Sequence, residues 1–328
     1  MLGIRRYAMN NTVDRRFSKA GRIYRVKLTP AEVENGTMTH AGFIQPPKDL
    51  LVYTRRMTDE TIFTLLGTGS SGGVPRIGND WGACNPDNPR NRRRRCSMLI
   101  EKRGANGATT VLIDTGPDMR EQLIDANVQY LNAVLLTHSH ADHIFGMDDL
   151  RQLAIKHREK VNVYMDAATA ERVMPAFGYC YEQSEGTSYP AICTEHRIQP
   201  QRAIQISGKG GTIELMPFEV NHGDINALGF RVGEVAYLPD VKTVELQESI
   251  ESTSNLEVLI LDALRYTEHP THMNVAEAIA YIDEMKPARA ILTNMHNAVD
   301  FDEISRELPP HIEPGYDGLK IRVAGASG

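Results

Sequence analysis

No run of apolar residues in this 328-residue chain approaches the roughly 20 needed to span a bilayer, which argues against a membrane-spanning protein. The start, Met1-Leu2-Gly3-Ile4-Arg5-Arg6-Tyr7, also lacks the apolar core of about 7–15 residues that a secretory signal requires. Both absences point to a cytoplasmic protein. Cysteine is scarce. Cys84, Cys96, Cys180 and Cys193 form no Cys-x-x-Cys pair, so a structural zinc ribbon is not indicated and free thiols are expected. No internal repeat of fixed period is visible, which argues against a solenoid. A net basic balance is missing from the body of the chain. The net charge of −6 combines a basic stretch, residues 1–56 with eleven Lys/Arg against four Asp/Glu, and a strongly acidic remainder. An acidic body argues against a general nucleic-acid-binding surface. A small phosphate-bearing substrate stays open, because bound metals can reverse the local field.

Residues 1–56 contain Gly36, Pro46 and Pro47 and show no sustained period. They read as a basic N-terminal extension, disordered or loosely docked, with a gene start placed upstream of Met57 or an organelle transit peptide as alternatives. Residues 57–328 read as the folded domain. Its strands are expected at Ile62–Leu66, Cys96–Glu101, Thr110–Asp114, Ala133–Leu136, Val161–Met165, Ala203–Ile206, Thr212–Glu219, Gly229–Val232, Ala236–Leu238, Glu257–Asp262 and Ala288–Thr293. Helices are expected near Met119–Ala126, Asp148–Lys156, Ala168–Phe177, Val244–Ser252, Val275–Glu284 and Phe301–Leu308, and residues 181–200 read as an insertion loop. Runs of strands punctuated by helices predict an α/β sandwich whose sheet edges feed one site.

The strongest local signal is Thr137-His138-Ser139-His140-Ala141-Asp142-His143, directly after an apolar strand. Four ligand-type side chains in six residues cannot share one helix or strand face, but a tight loop can turn them toward one point. Neutral imidazoles suit zinc and similar ions, and a carboxylate offsets the cation's charge. His222, Asp240 and His296 each follow another apolar strand in the same way. A structural His or Asp is the default for any one of them. Four strand ends delivering ligand types together are hard to explain by chance, and seven ligands suit two ions with a bridging group.

His-x-His-x-Asp-His, followed in order by His222, Asp240 and His296, resembles the metallo-β-lactamase fold superfamily over about Thr61 to Val323. The resemblance implies an αββα sandwich and two divalent metal ions, Zn²⁺ or Mn²⁺. It implies that His138, His140 and His222 hold one ion, that Asp142, His143 and His296 hold the other, and that Asp240 bridges them. Asp114, in Ile113-Asp114-Thr115-Gly116, matches the family's first motif and would support the metal loop.

Three further segments bear on substrate. Gly67-Thr68-Gly69-Ser70-Ser71-Gly72-Gly73 offers backbone N–H groups and the Ser70 and Ser71 hydroxyls to an anion, or is a plain flexible turn. Arg151 could reach a phosphate or pair with Asp148 or Asp149. His269-Pro270-Thr271-His272 opens the helix before the last ligand strand. Together these resemble the phosphoribosyl 1,2-cyclic phosphate phosphodiesterases and, more loosely, the tRNA 3′-processing endonucleases. That resemblance implies hydrolysis of a small (cyclic) ribose or nucleotide phosphodiester, with Asp142 in the catalytic centre and His272 protonating the leaving oxygen. His269 is the alternative acid. It also implies a homodimer as the common assembly. Some members carry an extra zinc on a Cys-rich loop, whereas here Cys84 and Cys96 stand apart. Rival readings are a lactonase, thioesterase or endoribonuclease on the same ligands, and a metal-binding protein without turnover.

Overall fold

The structure, a computed structural model, describes residues 13–19, 22–28, 60–183 and 185–324. Within the N-terminal extension, strands Val13–Lys19 (β1) and Arg22–Leu28 (β2) pair antiparallel, Val13 opposite Leu28 and Lys19 opposite Arg22. The expectation of a disordered or loosely docked segment otherwise falls outside the described residues. No helix among the described residues is long and apolar enough to cross a membrane.

Two seven-stranded sheets make up the second unit. The first orders Lys320–Ala324 (β16), Glu60–Gly67 (β3), Ser97–Gly104 (β4), Gly107–Ile113 (β5), Ala133–Leu135 (β6), Val161–Met165 (β7) and Cys193–Arg197 (β8). The second orders Ile312–Pro314 (β15), Arg289–Thr293 (β14), Val258–Asp262 (β13), Val235–Leu238 (β12), Ile225–Val232 (β11), Gly211–His222 (β10) and Ile204–Gly208 (β9).

Side chains alternate across a strand, so a strand covered on both faces reads as one apolar run. Phe63, Leu65, Met98, Ile100, Val111 and Ile113 point between the sheets, where they meet Leu215, Phe230, Tyr237, Ile260 and Ile291. Their neighbours Leu66, Leu99, Leu112 and Val134 point the other way, against the helices Met119–Asp125 (α1), Arg151–His157 (α3) and Ala167–Tyr181 (α4). A short helix, Ala141–Ile144 (α2), precedes α3. On the outer face of the second sheet, Leu238, Leu259, Leu261 and Leu292 pack on Val275–Met285 (α6) and Phe301–Glu307 (α7), with Gln247–Ser252 (α5) nearby in sequence. The αββα sandwich expected from the sequence is the fold.

The insertion loop expected at 181–200 contains β8, which pairs parallel with β7 at the sheet edge. Of its residues only Cys193 is buried, and Thr194, Glu195, His196 and Arg197 are polar on both faces, as the margin of a sheet tolerates. Strands β15 and β16 are also additional. β16 lies against β3, with Ile321 opposite Phe63.

Candidate metal centre

The ligand-type residues sit where strands of both sheets end. β5 runs into Asp114, held at φ +66°, a left-handed conformation that Asp adopts more readily than most side chains. β6 runs into the segment from Thr137 to His143, β10 ends on His222, and β12 is followed by Asp240. The histidine loop fits closely over the Asp114 turn. A Cβ on Gly116 would run into the carbonyl oxygen of Asp142, and one on Gly146 into that of Gly116.

Asp114 is buried and organises this loop. Its Oδ1 accepts from the Thr137 backbone N–H at 2.8 Å, and its Oδ2 accepts from His143 Nδ1 at 2.7 Å. The Thr137 hydroxyl, 2.9 Å from Asp114 Oδ2, is itself 2.9 Å from His138 Nδ1. One carboxylate thus fixes two imidazoles, one directly and one through a hydroxyl, with both Nε2 atoms turned inward. His222 is oriented in the same way, since Nδ1 donates to the carbonyl of Thr271 at 2.7 Å. Anchoring the distal nitrogen is how proteins aim histidines at an ion.

The inward atoms converge. His138, His140 and His222 offer nitrogens within 4.8 Å of one another, as do the donor atoms of His138, His143 and Asp240, and those of His222, Asp240 and His272. His138 Nε2 lies 3.0 Å from His140 Nδ1, and His222 Nε2 lies 3.3 Å from it. Asp240 stands at the centre, with Oδ2 3.9 Å from His138 Nε2 and 3.6 Å from His222 Nε2, and Oδ1 3.3 Å from His143 Nε2. Asp142 Oδ2 joins from the side, 3.4 Å from His143 Nε2.

This donor set fits a bound cation. His143 Nε2 and Asp240 Oδ1 are buried without a hydrogen-bond partner, a costly state for polar atoms. With its Nδ1–H given to Asp114, His143 presents a lone pair to two carboxylates, and facing lone pairs require positive charge between them. Without an ion a proton supplies that charge, and His143 would ligate a metal only after giving it up. Burial alone would lower the His143 imidazole, but Asp240, Asp114 and Asp142 outweigh it and hold the group well above its ordinary value. Burial would raise Asp240, but His143 and its neighbours hold it well below the carboxylate range. His138, His140 and His222 are all lowered, chiefly by burial, and so stay in the neutral form that ligates metals. The arrangement could hold a divalent cation.

Other expected site residues are placed differently. His296, anticipated as the seventh ligand, stands apart from these clusters. Its Nδ1 accepts from the Ala298 N–H at 3.1 Å, and its Nε2 faces the Arg76 guanidinium. Burial and Arg76 push its pKa down to about 4. Arg151 donates to Asp148 Oδ1 at 2.7 Å and lies over the Tyr179 and Tyr189 rings, which is the ion-pair alternative. Ser70 is buried, and its carbonyl accepts from Gly73 N–H in a turn, while Ser71 is exposed. Cys84 and Cys96 are buried apart. Cys84 Sγ meets the Val299 carbonyl, and Cys96 Sγ meets the Thr293 hydroxyl.

His272 does face the cluster, with Nε2 4.0 Å from Asp240 Oδ2. Its Nδ1 donates to Asp262 Oδ2 at 2.7 Å. Burial would lower this imidazole, but Asp262 outweighs it and raises His272 to about 9. Asp262 was not anticipated as a functional residue. The available signal was an acid ending a strand of unbroken apolar residues, Val258-Leu259-Ile260-Leu261-Asp262. His269 packs its ring on His272, with centroids 5.0 Å apart, and Thr271 N–H donates to its Nδ1 at 3.3 Å.

Comparison with known proteins agrees with this geometry. A family described as "Beta-lactamase superfamily domain" matches residues 109–295, more than half of the chain. Among solved structures, a diphosphatase described as from the PhnP family is 32% identical, with a TM-score of 0.72 over 81% of this chain and 98% of that one. The short form of human tRNase Z shares the fold at 15% identity, with a TM-score of 0.55 over 79% of this chain and 98% of that one. A Porphyromonas gingivalis (strain ATCC BAA-308 / W83) protein named octanoyltransferase is 35% identical over 263 residues, 79% of this chain. The chain spans about half the length of that relative, 51%.

Proposed function

The chain belongs to the β-lactamase superfamily, and on that footing we propose that it is a metal-dependent hydrolase of small phosphodiesters. The observation that carries the reading is a histidine and carboxylate cluster faced by His272, whose Nδ1 donates to Asp262 and whose Nε2 lies 4.0 Å from Asp240 Oδ2. His138, His140, Asp142, His143, His222 and Asp240 would hold two divalent ions, Zn²⁺ or Mn²⁺ by donor type. Divalent cations there supply Lewis acidity and make water nucleophilic near neutral pH.

The chain's own groups do the rest. Asp114 and Thr137 keep the imidazoles aimed, so substrate meets a preset site. His272 holds a proton on Nε2, on the side facing Asp240, and gives it to the departing alkoxide oxygen. Asp262 balances the positive ring before transfer and fixes its direction. General acid catalysis of this kind is worth about 10²–10⁴-fold. A phosphorus centre, in preference to a carboxyl carbon, is supported by the similarity to a protein named a diphosphatase. Acyl transfer, suggested by the name of the Porphyromonas gingivalis relative, finds no cysteine nucleophile here. All four thiols are buried, and burial raises each of them.

The test is hydrolysis of bis(p-nitrophenyl) phosphate by metal-reconstituted protein, beside a lactone and a nitrocefin-type β-lactam. Turnover of the diester alone, lost in His140→Ala, is the expected result. Lactone turnover without diester turnover would keep the metal site and refute the substrate class.

A further inference from the structure

The loop between β3 and β4 carries six arginines, and five of them are accounted for or face solvent. Arg90 lies 4.9 Å over the Phe301 and Tyr316 rings. Arg92 is exposed. Arg93 is buried and donates to the Val299 carbonyl at 2.8 Å. Arg94 pairs with Asp317 and Asp125, and Arg95 with Asp118.

Arg76 is different. Its guanidinium meets His296 Nε2 at the rim of the site, two residues beyond Asn294, whose amide lies 3.2 Å from Asp262 Oδ1 and 3.1 Å from His272 Nδ1, and it pairs with no carboxylate among the described residues. The nearby acid is committed elsewhere, since the Asp80 carboxylate accepts from Gly82 N–H at 2.9 Å and Asn297 Nδ2 at 3.1 Å. The placement is built. Arg76 N–H donates to the Asp80 carbonyl at 2.8 Å, and Asp80 N–H returns a bond at 3.2 Å, closing a tight turn. The side chain then runs back across Gly72, where a Cβ would stand 3.1 Å from Arg76 Nε and 3.3 Å from its Cγ. A glycine at 72 therefore leaves the path that brings the guanidinium to the rim.

An unneutralised guanidinium is a planar fork of N–H donors that matches phosphate oxygens in pairs. An imidazole is neutral or positive, so His296 gives the guanidinium no countercharge. We propose that Arg76 binds the non-bridging oxygens of a phosphodiester monoanion at this site and selects phosphate esters over uncharged esters and lactones. It takes the anion-binding part expected of Ser70, Ser71 and Arg151. The proposal rests on the phosphodiesterase reading, and the experiment separates the two.

Metal-loaded wild-type, Arg76→Ala and Arg76→Lys proteins are titrated calorimetrically with inorganic phosphate, and their metal content is measured. Loss of a charge-assisted pair is expected to weaken phosphate binding about 10- to 100-fold in Arg76→Ala. Arg76→Lys keeps the charge without the fork and should recover part of the loss. Metal content should stay the same, and the preference for bis(p-nitrophenyl) phosphate over p-nitrophenyl acetate should fall with phosphate affinity. Wild-type phosphate affinity in both variants would overturn the proposal. So would an Arg76→Ala protein that gains an ion per chain with phosphate affinity unchanged, which would make Arg76 a competitor for metal at His296. If no variant or wild type cleaves the diester but Arg76→Ala still loses phosphate, the hydrolase reading fails and the anion site stands. Diester turnover with unchanged phosphate affinity gives the converse.

Discussion

Asp262 and His272 form a buried carboxylate–imidazole pair at 2.7 Å, and its free Nε2 points toward Asp240, 4.0 Å away. Asp262 joins two strand ends. Asp262 closes β13 and also accepts from the Val241 N–H at 3.0 Å, next to Asp240. His272 is thereby tied to the segment that carries Asp240, through the single carboxylate of Asp262.

Asp262→Asn should move the high-pH limb of the rate profile downward. His272 must be protonated to act, so activity holds below its pKa and falls above it. The carboxylate raises that pKa, to about 9, and its removal lowers it. The expected outcome is a loss of turnover at alkaline pH that is larger for an alkyl leaving group than for p-nitrophenolate. An unshifted alkaline limb would show that His272 is not the acid.

Asp114→Asn should weaken metal binding about 10- to 100-fold, the usual effect of removing a group that orients a ligating histidine. The amide keeps the size and tolerates the left-handed backbone at this position. It loses the negative charge that holds the Nδ1–H of His143 and supports His138 through Thr137. Competition with a chromophoric chelator measures the change, and equal affinity would remove Asp114 from the metal site's support.

Much of this centre was legible from residue order. The His-x-His-x-Asp-His loop, His222 and Asp240 each followed an apolar strand, and sandwich topology brings such ends together. What the order did not carry are partnerships across long sequence separations. Arg76 meets His296 from 220 residues away, and nothing local in either segment signals it. Asp262 read as the last residue of a strand, because its role depends on a loop that returns ten residues later. Arg151 shows the reverse case. Its i,i+3 carboxylate, Asp148, was visible and captures the side chain. β8 was hidden because an edge strand with polar outward residues has the composition of a loop.

Gly116→Ala should destabilise the protein and loosen the metal loop together. The added Cβ meets the Asp142 carbonyl oxygen, which is backbone and cannot rotate aside. Overpacking of this kind costs about 1–3 kcal/mol. Thermal unfolding should show a drop of several degrees, and metal affinity should fall with it. A variant with wild-type melting and metal content would mean that the two loops do not fit as closely as described.

The most direct measurement is titration of metal-free protein with Zn²⁺ or Mn²⁺ while bis(p-nitrophenyl) phosphate hydrolysis is followed at each addition. Hydrolysis should rise with bound metal, saturate at two ions per chain, and vanish in His138→Ala. Undiminished hydrolysis by the metal-stripped protein, or full metal occupancy with no hydrolysis, would contradict a metal-dependent phosphodiesterase.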